Sequence, residues 1–154
     1  MLFLQFQLGK DRYALDASVV VEVLPLLEIK RIPHAPDAVV GAFNYRGRPV
    51  PAIDLSALAL GRPSRLHMST RIIVVRYPGA NREERLLGLI AERTTETVRR
   101  DPAEFADPGV IAADAPYLGP VATGTAGLVQ RIEVAGLLPE PVREVLFSQP
   151  LVHP

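Results

Sequence analysis

Fifteen prolines cut the 154-residue chain into short pieces, and this punctuation limits the fold more than any other feature of the sequence. Pro25, Pro33, Pro36, Pro49, Pro51, Pro63 and Pro78 recur at intervals, and a further group begins at Pro102. Proline ends a helix because it lacks an N–H and its ring clashes with the preceding turn. Short strands accept it at edges and bulges. The expectation is an all-β chain of nine or ten short strands with only helical turns between them. Closure into small barrels is the usual solution for so many strands, because it removes exposed edges.

The chain is organised around residues 41–55, GAFNYRGRPVPAIDL. Val39, Val40, Ala42 and Phe43 precede a corner at Arg46 and Gly47, and Val50, Ala52, Ile53 and Leu55 follow it. Apolar residues on both sides of a glycine-containing corner predict a hairpin. An arginine at its tip projects a permanently charged fork that can recognise a carboxylate. A solvated turn with an incidental arginine would read the same.

Before this hairpin, Leu4, Phe6 and Leu8 alternate with Phe3, Gln5 and Gln7, which is strand periodicity. A turn at residues 9–11 and an extended run at 12–16 complete a first hairpin. Residues 17–27, ASVVVEVLPLL, are ambiguous: the β-branched run favours a strand, whereas Asp16 as an N-cap favours one or two helical turns. Residues 31–36 read as a loop, 37–40 as a short turn or helix, and 56–60 as a helical turn. RIIVVRY at 71–77 and LLGLI at 86–90 are partner strands, the second continuing through 91–99. Residues 101–116 read as a long surface loop, 117–121 and 127–134 as a hairpin, and 134–138 and 142–147 as short helices. Residues 148–154 read as a loose tail after one domain spanning 1–147.

Composition narrows the function. Seventeen basic residues balance seventeen acidic ones, so no net field draws the chain to nucleic acid or to an anionic membrane. The absence of cysteine excludes disulfides and a thiol nucleophile, and fits a cytoplasmic protein. His34, His67 and His153 are dispersed, without the spacing of a metal site. No serine occupies a nucleophile elbow, and the glycines of residues 119–127 lack phosphate-loop spacing. Asp54 reads as a structural hydrogen-bond acceptor, and Arg99 with Arg100 is too short a patch for nucleic acid. No catalytic group, cofactor or metal is expected.

Taken together, the segments resemble the CheW family of chemosensory adaptors across nearly all of residues 3–138. Phe6, Leu8, Gly9, Tyr13, Leu15 and Asp16 follow the family's opening hairpin, and Val20, Glu22, Val23 and Leu24 its V-x-E-V-L segment. Pro33, Ala35 and Pro36 match a proline-containing run. Gly41, Asn44, Arg46, Gly47, Pro51, Ile53, Asp54 and Leu55 match G-x-x-N-x-R-G-x-x-x-P-x-I-D-L. The blocks at 71–75, 88–90, 117–119, 127–129 and 137–138 agree in order.

The resemblance implies two interlocked five-stranded SH3-like barrels without an active site. It further implies an adaptor coupling a methyl-accepting chemotaxis-type receptor to the regulatory domain of a CheA-like histidine kinase. Carried over residue by residue, it places Val20, Glu22 and Arg46 at the receptor contact. Gly41, Asn44, Thr94 and Thr97 are further candidate groove positions. The protein would be cytoplasmic and recruited to membrane-associated receptor arrays, without inserting into the membrane. Several positions depart from the pattern. Tyr45 stands for a common Leu, and Arg48 and Pro49 stand for aliphatic residues. Thr94 and Thr97 take apolar positions, and Arg131 lies in a usually hydrophobic strand. These changes point to a specialised, non-flagellar pathway. The alternative is a stand-alone β-barrel binding module outside any array, which the fold alone would permit.

Overall fold

A computed structural model describes residues 1–78, 84–109, 113–124 and 127–147. Residues 148–154, expected to form a tail, lie outside them. Alternating and β-branched runs become strands wherever the sequence is free of turn residues. β1 (Leu2–Leu8) and β2 (Asp11–Asp16) form the opening hairpin. The ambiguous stretch after Asp16 contains both predicted forms in succession. A 3-10 turn at Ala17–Val19, capped by Asp16 accepting from the Ser18 N–H, leads into β3 (Val20–Pro25). Residues 31–36, expected as loop, begin in a two-residue strand, β4 (Lys30–Arg31), which pairs with β5 (Val39–Tyr45). The central hairpin joins β5 to β6 (Arg48–Asp54), and α1 (Leu55–Leu60) follows.

β7 (Arg71–Pro78) and the 16-residue β8 (Glu84–Arg99) complete the framework. The first half of β8 lies antiparallel to β7 and parallel to β6; its second half runs antiparallel to β1. One strand thus serves two barrels. At the change-over Arg93 has φ 48° and the register against β1 shifts between Gln5 and Gln7, a bulge that bends the strand. The first barrel comprises β3, β5, β6, β7 and the start of β8, with β4 as a short edge. The second comprises the end of β8, β1, β2, β10 (Gly127–Ile132) and β9 (Leu118–Gly124). This is the paired five-stranded architecture that the resemblance implied. α2 (Glu140–Phe147) closes the described chain.

The core explains the apolar runs. Ile73, Val75 and Tyr77 of β7 pack with Leu4, Phe6 and Leu8 of β1 in a cluster shared by both barrels. The alternate residues Ile72 and Val74 face a second cluster with Phe43, Tyr45 and Val50 inside the first barrel. A strand buried on both faces needs no polar alternation. The same holds for β1, which corrects one expectation. Phe3, grouped with Gln5 and Gln7 on an alternate face, is fully buried with Ala14 and Val129, and Phe105 closes over it. Phe105 belongs to the stretch expected as bare surface loop. That stretch also contains a 3-10 turn at Pro102–Glu104 and a bridge from Ala106 to Val121. Arg131 stacks near Phe3 and Phe105, with ring centroids 5.2 and 5.5 Å from its guanidinium, and lies 4.0 Å from Asp16. A cation is therefore accommodated in the hydrophobic strand by aromatic faces and a carboxylate.

Candidate partner-binding site

The β5–β6 hairpin pairs Tyr45 with Arg48, so Arg46 and Gly47 alone make the turn. Their φ angles are 51° and 83°, the positive pair of a type I′ turn, which matches strand twist. Glycine accepts this freely, whereas arginine gives up about 1 kcal/mol. Asn44 supports the turn, its Oδ1 accepting from the Gly47 N–H at 2.8 Å.

The tip meets β3. Glu22 Oε1 accepts from the Tyr45 hydroxyl at 2.8 Å and from Arg46 Nη2 at 2.9 Å. The Arg46 guanidinium also lies over the Tyr45 ring, 5.3 Å from its centroid. The hydrogen bond to the Glu22 carboxylate, then burial, raises the Tyr45 phenol above its ordinary value, against the opposing pull of Arg46. The Arg46 side chain is 76% exposed and that of Glu22 36%. So exposed a pair adds about 0–1 kcal/mol to stability. Its remaining hydrogen-bonding capacity, at Glu22 Oε2 and at Arg46 Nε and Nη1, has no partner among the described residues. Val20 begins the same strand, half-buried and paired with Val75, with a bulge between it and Glu22. Val23 is an exposed apolar residue of the same strand; Leu26 and Leu27, also exposed, follow its end at Pro25. The arrangement is a charged pair beside an apolar edge, the composition of a polar-rimmed protein contact.

The other candidate positions have different roles. At Gly41 a Cβ would overlap the Lys30 carbonyl, so this glycine lets β4 cross β5 closely. The structure does not bring Thr94 and Thr97 to the Glu22–Arg46 pair, because both lie on the part of β8 that runs beside β1. Thr94 is buried, with its hydroxyl donating to the Ala91 carbonyl at 3.2 Å, while Thr97 is exposed opposite Leu4. Tyr45 had no assigned role in the sequence reading. The only signal was an aromatic residue beside the tip arginine.

Asp54 is a structural acceptor. Buried at the start of α1, it accepts from the Ser56 and Ala57 N–H groups and from both the N–H and hydroxyl of Ser64. Among the described residues, no three His, Asp or Glu side chains gather as metal ligands. Two clefts remain. One of about 640 Å³ opens where β5 and β6 meet α1, with Val40, Ile90, Leu66 and Arg62 in its lining. It lies a full strand length from the hairpin tip, about 20 Å. The other, about 760 Å³, is on the second barrel, lined by Asp107, Leu118, Val121 and the exposed Leu128.

The profile of the CheW-like domain matches residues 2–142. The chain belongs to the CheW-like domain family. It is 29% identical over 97 residues to the chemotaxis protein CheW of Helicobacter pylori, an alignment covering 63% of this chain and 56% of that protein. With the chemotaxis protein CheW of Treponema pallidum it shares 29% identity over 131 residues, 80% of this chain and 74% of that one. The crystal structure of the scaffolding protein TtCheW from Thermoanaerobacter tengcongensis matches with a TM-score of 0.80 at 25% identity, covering 92% of this chain and 89% of that one. The alignment thus spans little more than half of the H. pylori protein. The CheW-like match includes the whole β3–β5–β6 region that holds Glu22, Tyr45 and Arg46.

Proposed function

We propose that this chain is a non-enzymatic adaptor coupling methyl-accepting chemotaxis-type receptors to a CheA-like histidine kinase. The observation that carries the reading is the Glu22–Arg46 pair, exposed beside the apolar edge of β3 on a CheW-like barrel. An adaptor needs two separate surfaces, and two barrels can offer one each. The receptor meets the first barrel at Val20, Glu22 and Arg46. The second barrel is left for the regulatory domain of the kinase. The names of the relatives, a chemotaxis protein and a scaffolding protein, support this reading. No helix among the described residues is long and apolar enough to cross a membrane, which suits a cytoplasmic protein recruited to arrays by its receptor. The departures at Tyr45, Arg48 and Pro49 favour a receptor outside the flagellar pathway.

The test is a pull-down with a cytoplasmic receptor fragment. Arg46→Ala and Glu22→Ala should each weaken capture while the melting temperature stays nearly unchanged, because the exposed pair adds only about 0–1 kcal/mol. A loss of several kcal/mol of stability with intact capture would assign both residues to folding instead.

A further inference from the structure

We propose that Tyr45 is a positioning residue that sets the specificity of the Glu22–Arg46 site, presenting the two charged groups in one geometry to a partner surface that carries a carboxylate beside a cation or hydroxyl donor. The inference rests on the reading of that pair as the receptor contact. It names the chemistry the receptor must offer there.

Tyr45 differs from its two neighbours in being anchored. The residue is 7% exposed and packs in the first-barrel cluster with Phe43 and Val50. A buried ring has one rotamer, so its hydroxyl and its face are fixed points. The hydroxyl holds Glu22 Oε1 at 2.8 Å, and the face underlies the Arg46 guanidinium at 5.3 Å. Glutamate and arginine side chains otherwise sample many rotamers, and ordering them at an interface costs affinity. Tyr45 removes much of that cost before the partner arrives.

The same contacts decide what is left to bind. Glu22 Oε1 receives both donors, so Oε2 is the acceptor available to a partner. Arg46 gives one of its five N–H groups to Glu22, so the others, including the second N–H of Nη2, remain as donors. A free acceptor beside a free fork fits a surface with opposite charges side by side. It rejects a purely cationic or purely anionic surface, which would leave one group unpaired or repelled. Leucine at position 45 would provide neither the hydroxyl nor the π-face.

The experiment uses the full chain and a cytoplasmic fragment of a methyl-accepting chemotaxis-type receptor from the same organism. Isothermal titration would compare wild type, Tyr45→Phe, Tyr45→Leu, Arg46→Ala, Glu22→Gln and the Tyr45→Phe/Glu22→Gln double variant. Tyr45→Phe keeps the packed ring and removes the hydroxyl, and it should weaken binding about three- to tenfold. Tyr45→Leu should weaken it further. The double variant should lose less than the product of the single losses, because both changes break one contact. An ultraviolet titration supplies a readout independent of the partner. The phenol signal missing in Tyr45→Phe should titrate above the ordinary value in wild type and move back towards about 10 in Glu22→Gln. Wild-type affinity in Tyr45→Phe, with binding lost in Arg46→Ala, would overturn the role of Tyr45 and leave the receptor contact standing. A loss that merely follows a lowered melting temperature would overturn it too. Failure of the wild type to bind the receptor would remove both.

Discussion

Asp54→Ala should expose how the central motif holds its end of the first barrel together. The carboxylate accepts four hydrogen bonds: Ser56 N–H at 3.0 Å, Ala57 N–H at 3.4 Å, Ser64 Oγ at 2.5 Å and Ser64 N–H at 2.8 Å. Losing the cap of α1 costs about 1 kcal/mol. Each of the two Ser64 contacts adds roughly 1 kcal/mol, the net worth of a typical hydrogen bond. The sum is about 3 kcal/mol, which for a domain of this size lowers the melting temperature by roughly 6–12 °C. Calorimetry of wild type, Asp54→Ala, Ser64→Ala and the double variant would measure it. Ser64→Ala removes only the hydroxyl contact, and on the Asp54→Ala background it should cost almost nothing more. Receptor capture should survive wherever the protein stays folded, because the hairpin tip is about 20 Å away. A loss under about 1 kcal/mol, or full additivity of the two changes, would refute the account of Asp54 as a shared acceptor.

Gly41→Ala should destabilise by several kcal/mol or prevent folding, because its Cβ would overlap the Lys30 carbonyl and backbone cannot yield as a side chain can; urea unfolding would measure the loss. Thr94→Val removes the buried bond to the Ala91 carbonyl and should cost about 1 kcal/mol, whereas exposed Thr97→Val should change stability little; thermal melts of the two variants would separate them. The phenols of Tyr13 and Tyr117, raised chiefly by burial, and of Tyr45, raised chiefly by its bond to Glu22, favour the neutral form in the fold. Their contribution is therefore complete below about pH 10 and is lost as pH rises through the raised values, so melting temperature should fall as pH climbs above about 10, less steeply in Tyr45→Phe.

Much of the fold was legible because it depends on local punctuation. The corner at Arg46 and Gly47, the turn at Gly9 and the strand RIIVVRY all follow from glycine, proline and β-branched residues acting over a few positions. What the sequence concealed was how often a strand is buried on both faces. Phe3 sat on an alternate face with two glutamines, yet it lies in the second barrel's cluster because β1 stands between that cluster and the shared core. Thr94 looked like a groove residue for a related reason: β8 runs through both barrels, and no local signal marks the bulge at Arg93 where its surroundings change. The site was half legible. Glu22 and Arg46 were visible as charges on apolar elements, but their mutual contact spans 24 residues and needs the register of β3 against β7. Tyr45 looked like a simple replacement until its hydroxyl was seen to reach Glu22.

The central claim is that the chain bridges a receptor to a kinase and turns over nothing. Each of its contacts is then of the weak, transient class, roughly micromolar, and array neighbours supply the multivalency. Regulation would arise because the adaptor binds two kinase states unequally, so the receptor shifts their balance through it. The direct measurement is kinase autophosphorylation on receptor-bearing membranes, with and without this chain. Receptor control of the kinase that appears only when all three components are present, and that Arg46→Ala weakens, is the predicted result. Receptor control equally strong without the chain would contradict it.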